Sequence, residues 1–296
     1  MSDASVDVIA IVRAGALGDV ALALPAIAAL RALYSRSRIR AIGYPGTWRV
    51  AGALVDEIVS IDSPAGSVPL SGRTRPPWLE DVNLAIIWSA APIGEGLSAS
   101  GITLIHATPY PPPGVHAATW LLHSLAPAGV KGDLREIDLG VSADELRVAQ
   151  RILTSCGLTH PILLHPGSGA TWKCWPAARF ASVIAVLAGD GHQIGLLQGP
   201  ADGAAVGAVQ SHFEEPIPVL RCEGPRELAA VLSLCRLYIG NDSGVTHLAA
   251  LAGASVIALF GPTDPASWSP LGDTQVVLRT CSRAGPPGGI RACFDT

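Results

Sequence analysis

Short runs rich in β-branched residues recur along the chain at 6–12, 39–44, 58–61, 83–88 and 102–106, and again at 162–165, 193–197, 217–220, 237–239, 256–260 and 276–278. Amphipathic segments lie between them. This alternation is the βαβ rhythm of a parallel sheet with helices on both faces, and it leaves few other architectures open. The rhythm pauses once, at 141–156, where Ser142 and Glu145 are spaced as a capping box ahead of a helical pattern, with Gly157 and Pro161 behind it. A second series then begins. The chain therefore reads as two doubly wound α/β domains, 1–157 and 158–296, with a cleft between them. Ligand-bearing loops of such sheets lie at the carboxyl ends of strands, so the non-repetitive stretches 63–78 and 109–114 are candidate cleft loops of the first domain.

Composition narrows the function classes. Of the 296 residues 49% are apolar and 15% charged, the opposite of the signature of an unfolded chain. No apolar stretch approaches the roughly 18 residues of a membrane span. The longest, 20–30 and 248–261, are short, and the first contains Pro25. The N-terminus is acidic and lacks the basic-then-apolar layout of a signal peptide, so the expected location is cytoplasmic, at most peripheral at the inner membrane face. With 20 Lys+Arg against 24 Asp+Glu, a net charge of −4 and no basic run, nucleic acid is excluded as a partner. Six cysteines (Cys156, Cys174, Cys222, Cys235, Cys281, Cys293) show no Cys-x-x-Cys and no paired-His spacing, and most are read as small apolar core residues rather than a zinc or disulfide site.

Loops at strand ends carry the residues suited to chemistry. After the first strand, Gly15 and Gly18 allow a tight turn into a helix, and Asp19 falls where that helix begins. By spacing alone it reads first as an N-cap and second as a general base. After the first strand of the second domain, Gly167 and Gly169 let the backbone approach a ligand, and Pro176 suits the next helix start. Lys173, one of two lysines in the chain with Lys131, sits on that loop, where an anionic phosphate would be favoured. A dinucleotide fingerprint from Gly167 and Gly169 fails because Trp172 takes the place of the third glycine.

A third loop runs from Tyr238 through Asp242 into a helix. The amides of Ser243, Gly244 and Val245 would point outward at its start, a geometry that suits a diphosphate. The bland alternative is a capped core helix, with Asp242 as N-cap and His247 as an ordinary first-turn residue. The loop at 260–270 either closes over a nucleotide base or is a turn packed around Trp268.

These strings, in this order, resemble glycosyltransferase family 9, the ADP-heptose:lipopolysaccharide heptosyltransferases. The matching residues are Leu17-Gly-Asp19 with Leu24-Pro25, His165-Pro-Gly-Ser168 with Lys173-x-Trp175-Pro176, Gly199-Pro200, Gly240-Asn-Asp-Ser-Gly244 with His247-Leu-Ala249, and Phe260-Gly-Pro-Thr-Asp264. The resemblance implies a GT-B fold of two Rossmann-like domains, with the acceptor on the first and the nucleotide-sugar on the second. It implies inverting transfer without metal or cofactor, from an ADP-heptose co-substrate to a hydroxyl of a glycan, lipid or small molecule. In the family pattern Asp19 matches the base and Gly18 lies beside it. Ser168 and Gly169 match a phosphate-contacting pair, and Lys173 with the amides of Ser243 and Gly244 would meet leaving-group charge. Asp242 matches the acid near donor-sugar hydroxyls, His247 the helix histidine near the diphosphate, and Asp202 the place of a ribose-binding Glu.

The family pattern also ends in a helix that returns to the first domain, whereas this sequence stops at Thr296, soon after Cys281 and Cys293. Residues 1–150 hold 11 Lys+Arg against 14 Asp+Glu, which points away from a strongly anionic acceptor. Two other readings stay open at this level. One is a GT-B enzyme that epimerises or hydrolyses a nucleotide-sugar, and the other is a relative that binds it without turnover.

Overall fold

The computed structural model describes residues 6–66, 76–91, 97, 101–134, 137–272 and 275–279, and the chain divides into two compact units, Met1–Ile137 and Asp138–Thr296. In the first unit β1 (Val8–Val12), β2 (Arg38–Gly43), β3 (Glu57–Ser60), β4 (Leu84–Trp88) and β5 (Thr103–Ala107) form a five-stranded sheet in the order β3-β2-β1-β4-β5. Every pair is parallel. β1 and β4 are buried at each residue, as strands covered on both faces must be, which is why their runs are apolar throughout rather than alternating. On one face Val8, Ala10, Val12, Ala85 and Ile87 pack with Trp78, Leu79 and Val82. The helix Leu17–Leu33 packs on the helix Ala117–His123.

The second unit holds β6 (Ile162–His165), β7 (Ile194–Leu197), β8 (Val219–Leu220), β9 (Leu237–Asn241), β10 (Val256–Phe260) and β11 (Gln275–Arg279). They form a six-stranded sheet in the order β11-β10-β9-β6-β7-β8, again wholly parallel. Read from the β8 edge this is the same winding as the first sheet with one strand added. In each sheet the strand order reverses beside the first strand, at β1/β4 and at β6/β9, and open α/β sheets bind ligands in the crevice beyond the carboxyl ends at that switch. The core beneath the β6–β7 side joins Leu164, Leu196, Phe180, Ile184, Val206 and Val209, and Trp175 meets Phe180 edge to face at 5.3 Å.

The division falls at Ile137/Asp138 rather than near 157, and packing explains the difference. The expected capping box is present: Ser142 Oγ accepts from the Glu145 amide at 3.2 Å, and Glu145 Oε2 accepts from the Ser142 amide at 2.8 Å. The helix it starts, Ala143–Ser155, packs on the helix Pro225–Ser233 of the second unit. Arg226 on that helix donates to Glu145 through Nε and Nη2, both at 2.8 Å, and to the carbonyls of Leu139 and Gly140 at 2.6 and 2.8 Å. One guanidinium thus fastens residues 139–145 to the second sheet's helices.

Of the expected cleft loops, 67–75 lie outside the described residues, as do Cys281, Cys293 and the rest of 280–296. Cys156, Cys174, Cys222 and Cys235 are free thiols of intermediate burial rather than fully buried core residues, because each lies beside a loop or element end. Burial still pushes the Cys222 and Cys235 thiols up to about 12. Among the described residues no helix is long and apolar enough to cross a membrane.

Candidate functional site

In the first unit the turn after β1 delivers Asp19. The helix Leu17–Leu33 is capped at Ala16, so Asp19 is its third residue rather than its N-cap. From there its Oδ2 reaches back to accept the Ala16 amide at 2.9 Å, the acidic half of a capping box. Its Oδ1 accepts from Nη2 of Arg13 at 2.6 Å, and the carboxylate stays 36% exposed. A Cβ on Gly15 would stand 2.6 Å from Asp19 Cβ, so Gly15 is the glycine this turn requires, while Gly18 lies inside the first helical turn.

In the second unit the loops after β6 and β9 meet at the switch of strand order. β6 and β9 are hydrogen-bonded neighbours with His165 opposite Gly240, which puts Pro166 and Asn241 side by side. Asn241 joins the loops: its Nδ2 donates to the carbonyls of Pro166 and Gly167 at 2.9 and 3.2 Å, and its Oδ1 accepts from the Trp175 amide at 2.9 Å. Ser168 adds a bond from Oγ to the Asp242 carbonyl at 2.8 Å.

Polar side chains then converge on Asp242. Lys173 Nζ lies 2.6 Å from its Oδ2, Thr263 Oγ1 donates to the same oxygen at 2.7 Å, and His247 Nε2 stands 4.0 Å from Oδ1. Asp242 is therefore not the N-cap of the helix Gly244–Leu251. That place belongs to Ser243, whose side chain makes no capping bond. Lys173 also lies over the ring of the exposed Trp172, 5.5 Å from its centroid. Gly169 is exposed, and a Cβ there would meet nothing within 4 Å.

Asp202 takes a different place from the one expected of a ribose ligand. It is 8% exposed, and its Oδ2 accepts from His165 Nε2 at 2.9 Å and from the Gly199 amide at 2.8 Å. Burial alone would raise this carboxyl, but the bonds from His165 and Gly199 outweigh it and hold the group below its usual range. The side chain fills the space beside Gly167, where a Cβ would fall 1.9 Å from Oδ1. An ionised carboxylate only accepts, so His165 Nε2 donates to Asp202, and His165 Nδ1 lies 3.4 Å from Ser243 Oγ. The polar chain continues from Ser243 to Thr246 at 3.2 Å and on to Tyr238 at 2.9 Å, all of it buried.

The second unit thus gathers Ser168, Lys173, Asp242, Ser243, Gly244, Val245 and His247 at one strand-order switch, and sets Asp202 beneath them. Sequence reasoning passed over Arg13, Asn241, Thr246 and Thr263. Asn241 and Thr263 stand inside quoted strings, yet their partners lie in other loops and leave no signal in spacing. Among the described residues no group of His, Cys, Asp or Glu is arranged to hold a metal ion. A cation and the start of a helix thus meet at the carboxyl end of a parallel sheet, an arrangement of the kind that attracts anions.

Residues 102–287 match the model of glycosyltransferase family 9 (heptosyltransferase). Lipopolysaccharide heptosyltransferase 3 of Escherichia coli is 29% identical over 161 residues, 52% of this chain and 47% of that relative. The chain thus spans about half the length of the curated relatives it matches, 47% for this one. Among solved structures, the glycosyl transferase family 9 protein from Veillonella parvula DSM 2008 superposes with a TM-score of 0.77 at 25% identity, covering 94% of this chain and 88% of that one. E. coli ADP-heptose lps heptosyltransferase II superposes with a TM-score of 0.72 at 18% identity, covering 94% and 92%, a likeness of fold. The fold is of the GT-B type, two Rossmann-like units in one chain.

Proposed function

We propose that this chain, which belongs to glycosyltransferase family 9, transfers a heptose from an ADP-activated donor to an acceptor hydroxyl, with inversion and without a metal ion. The observation that carries the reading is the convergence of Lys173, Asp242 and the start of the helix Gly244–Leu251 at the strand-order switch of the second sheet. That placement suits the diphosphate of a nucleotide-sugar, with Asp242 and Thr263 within reach of sugar hydroxyls. The choice of ADP-heptose draws on the neighbour whose name carries that donor.

In the reaction the acceptor oxygen attacks the anomeric carbon as the bond from that carbon to the diphosphate breaks, and ADP departs on the opposite face. The hydroxyl proton passes to Asp19 of the first unit, whose carboxylate is accessible and already held by two donors. Charge developing on the diphosphate is met by Lys173 and by the Ser243, Gly244 and Val245 amides, which supply what a metal ion would otherwise supply. Lys173 exchanges its partner Asp242 for the diphosphate as the donor binds, which frees the carboxylate for sugar hydroxyls. The reading includes a cytoplasmic location, at the inner membrane face where the acceptor is a lipid.

Calorimetry with ADP, UDP and GDP in parallel, followed by product analysis with ADP-heptose in the presence of a chelator, tests this. Binding of ADP and chelator-resistant release of ADP are expected. Binding of UDP or GDP with none of ADP overturns the donor assignment.

A further inference from the structure

We propose that Arg13 is a positioning residue for this transfer, holding the Asp19 carboxylate in the single orientation from which it takes the acceptor proton. The inference rests on the reading of Asp19 as the base. It begins from a local oddity: a guanidinium only 5% exposed, placed directly behind a carboxylate that solvent reaches.

The backbone of Arg13 is fixed from both sides. Its amide donates to the Ile42 carbonyl at 3.0 Å, and its carbonyl accepts from Nε1 of the fully buried Trp48 at 3.0 Å. Gly43 is what lets Trp48 come so close, since a Cβ there would fall 2.1 Å from the indole nitrogen. From this anchored position the guanidinium extends to Asp19, with Nη2 2.6 Å from Oδ1, while its Nε is buried without a hydrogen-bond partner among the described residues. Burying a charge costs heavily unless it is paired, and the carboxylate that meets this one is Asp19.

A helix cap alone would not call for that arrangement. The Ala16 amide on Oδ2 already completes the cap, and an acidic third residue does this at many helix starts without a buried cation. What Arg13 adds is a second point of attachment on the other oxygen. Two donors, one on each oxygen, stop rotation about the bond to the carboxylate and leave one lone pair of each oxygen free on the exposed side. A Cβ on Gly15 would fall 2.6 Å from the Asp19 Cβ and 2.8 Å from its Oδ2, so the turn leaves the carboxylate room only because residue 15 is glycine. Holding a base in its reactive orientation is a recognised share of the rate in proton transfer.

The test compares Arg13→Lys, Arg13→Gln, Asp19→Asn and the Arg13→Gln/Asp19→Asn pair by the rate of ADP release from ADP-heptose, with water as acceptor where no other is supplied. Circular dichroism and the melting curve of each variant serve as the folding control. Expected are a kcat lowered about tenfold in Arg13→Lys and about a hundredfold in Arg13→Gln, with donor KM unchanged. In the Asp19→Asn background the added Arg13→Gln change should cost less than about twofold, because the residue it positions is gone. Full turnover in both Arg13 variants, or an equal loss with and without Asp19, overturns the positioning role. Full turnover of Asp19→Asn instead overturns the base reading beneath it. The Ala16 amide resonance in NMR gives a readout independent of donor identity. It should shift in Arg13→Gln as the Asp19 carboxylate turns, and an unmoved resonance speaks against the proposal whatever the donor proves to be.

Discussion

Lys173 Nζ donates to Asp242 Oδ2 across 2.6 Å, closing a pair between two loops 69 residues apart in the chain. With 24% of the lysine side chain and 7% of the aspartate exposed, the pair is largely withdrawn from water and neutral as a unit. In the proposed reaction an arriving diphosphate competes with Asp242 for the ammonium.

Lys173→Ala is expected to lower ADP-heptose turnover by about 10² to 10³, on the order of 3 kcal/mol in the barrier, by removing a donor to the leaving group. It also leaves Asp242 buried beside Thr263 and His247 without its cation, so a fall in melting temperature should accompany the kinetic loss. Asp242→Asn separates the two effects: ADP alone should bind as well as or better than to the natural chain, while transfer of the sugar falls. Weaker ADP binding in that variant would contradict the exchange.

Asp19→Ala is expected to lower transfer by about 10² to 10⁴ while ADP affinity in calorimetry stays within a few-fold, since the carboxylate belongs to the first unit and the proposed phosphate-binding residues to the second. Retained turnover in this variant would remove Asp19 from the chemistry. Loss of the Ala16 cap should cost about 1 kcal/mol in the first unit, and leaving the buried Arg13 guanidinium without its carboxylate adds to that cost, visible as a fall in its melting.

The two glycines of the loop after β6 should behave oppositely. Gly167→Ala drives a Cβ to within 1.9 Å of Asp202 Oδ1, so the carboxylate must leave His165 and about 3 kcal/mol of stability should be lost in denaturant unfolding. Gly169→Ala meets no atom of the protein and should leave stability within about 0.5 kcal/mol. If ADP binds over that loop, the same substitution weakens ADP binding, which calorimetry on the folded variant would register.

Stability should fall in acid through Glu145. The Arg226 guanidinium holds its carboxyl down at about 2 from an ordinary 4.5, with the Ser142 amide and hydroxyl adding to the effect against a smaller burial penalty. A carboxyl depressed on folding stabilises the native state above its unfolded pKa and loses that contribution as pH drops toward the folded value. The window is therefore 4.5 down to about 2. For a pair this close to solvent the contribution is on the order of 2 kcal/mol. Glu145→Gln should melt lower than the natural chain at pH 7 and equal it near pH 2, and a constant gap across that range would show the pair to be silent.

Much of this architecture was legible in the chain. Parallel strands buried on both faces demand unbroken apolar runs, and so β1, β4, β6 and β10 stand out wherever Val and Ile cluster. Ser142 and Glu145 announce a helix start through local hydrogen bonds three residues apart, and the structure shows that start as expected. Loops at strand ends, with their glycines and single lysine, are where the sequence places a ligand by expectation.

Partnership was beyond the reach of spacing. Asp202 looked like a ligand residue and instead bonds inward to His165, because whether a carboxylate faces a ligand or the core depends on which strand lies next to its own. The same holds for Asn241 beneath two loops and for Arg226 reaching back to Glu145, which moved the domain boundary from 157 to 137. Helix caps and apolar periods are settled by residues within a turn of each other, so the sequence alone determined them. Pairs such as Lys173 with Asp242, and His165 with Asp202, exist only once the strand order of the sheet has brought distant loops to one edge, and that only the tertiary structure decided.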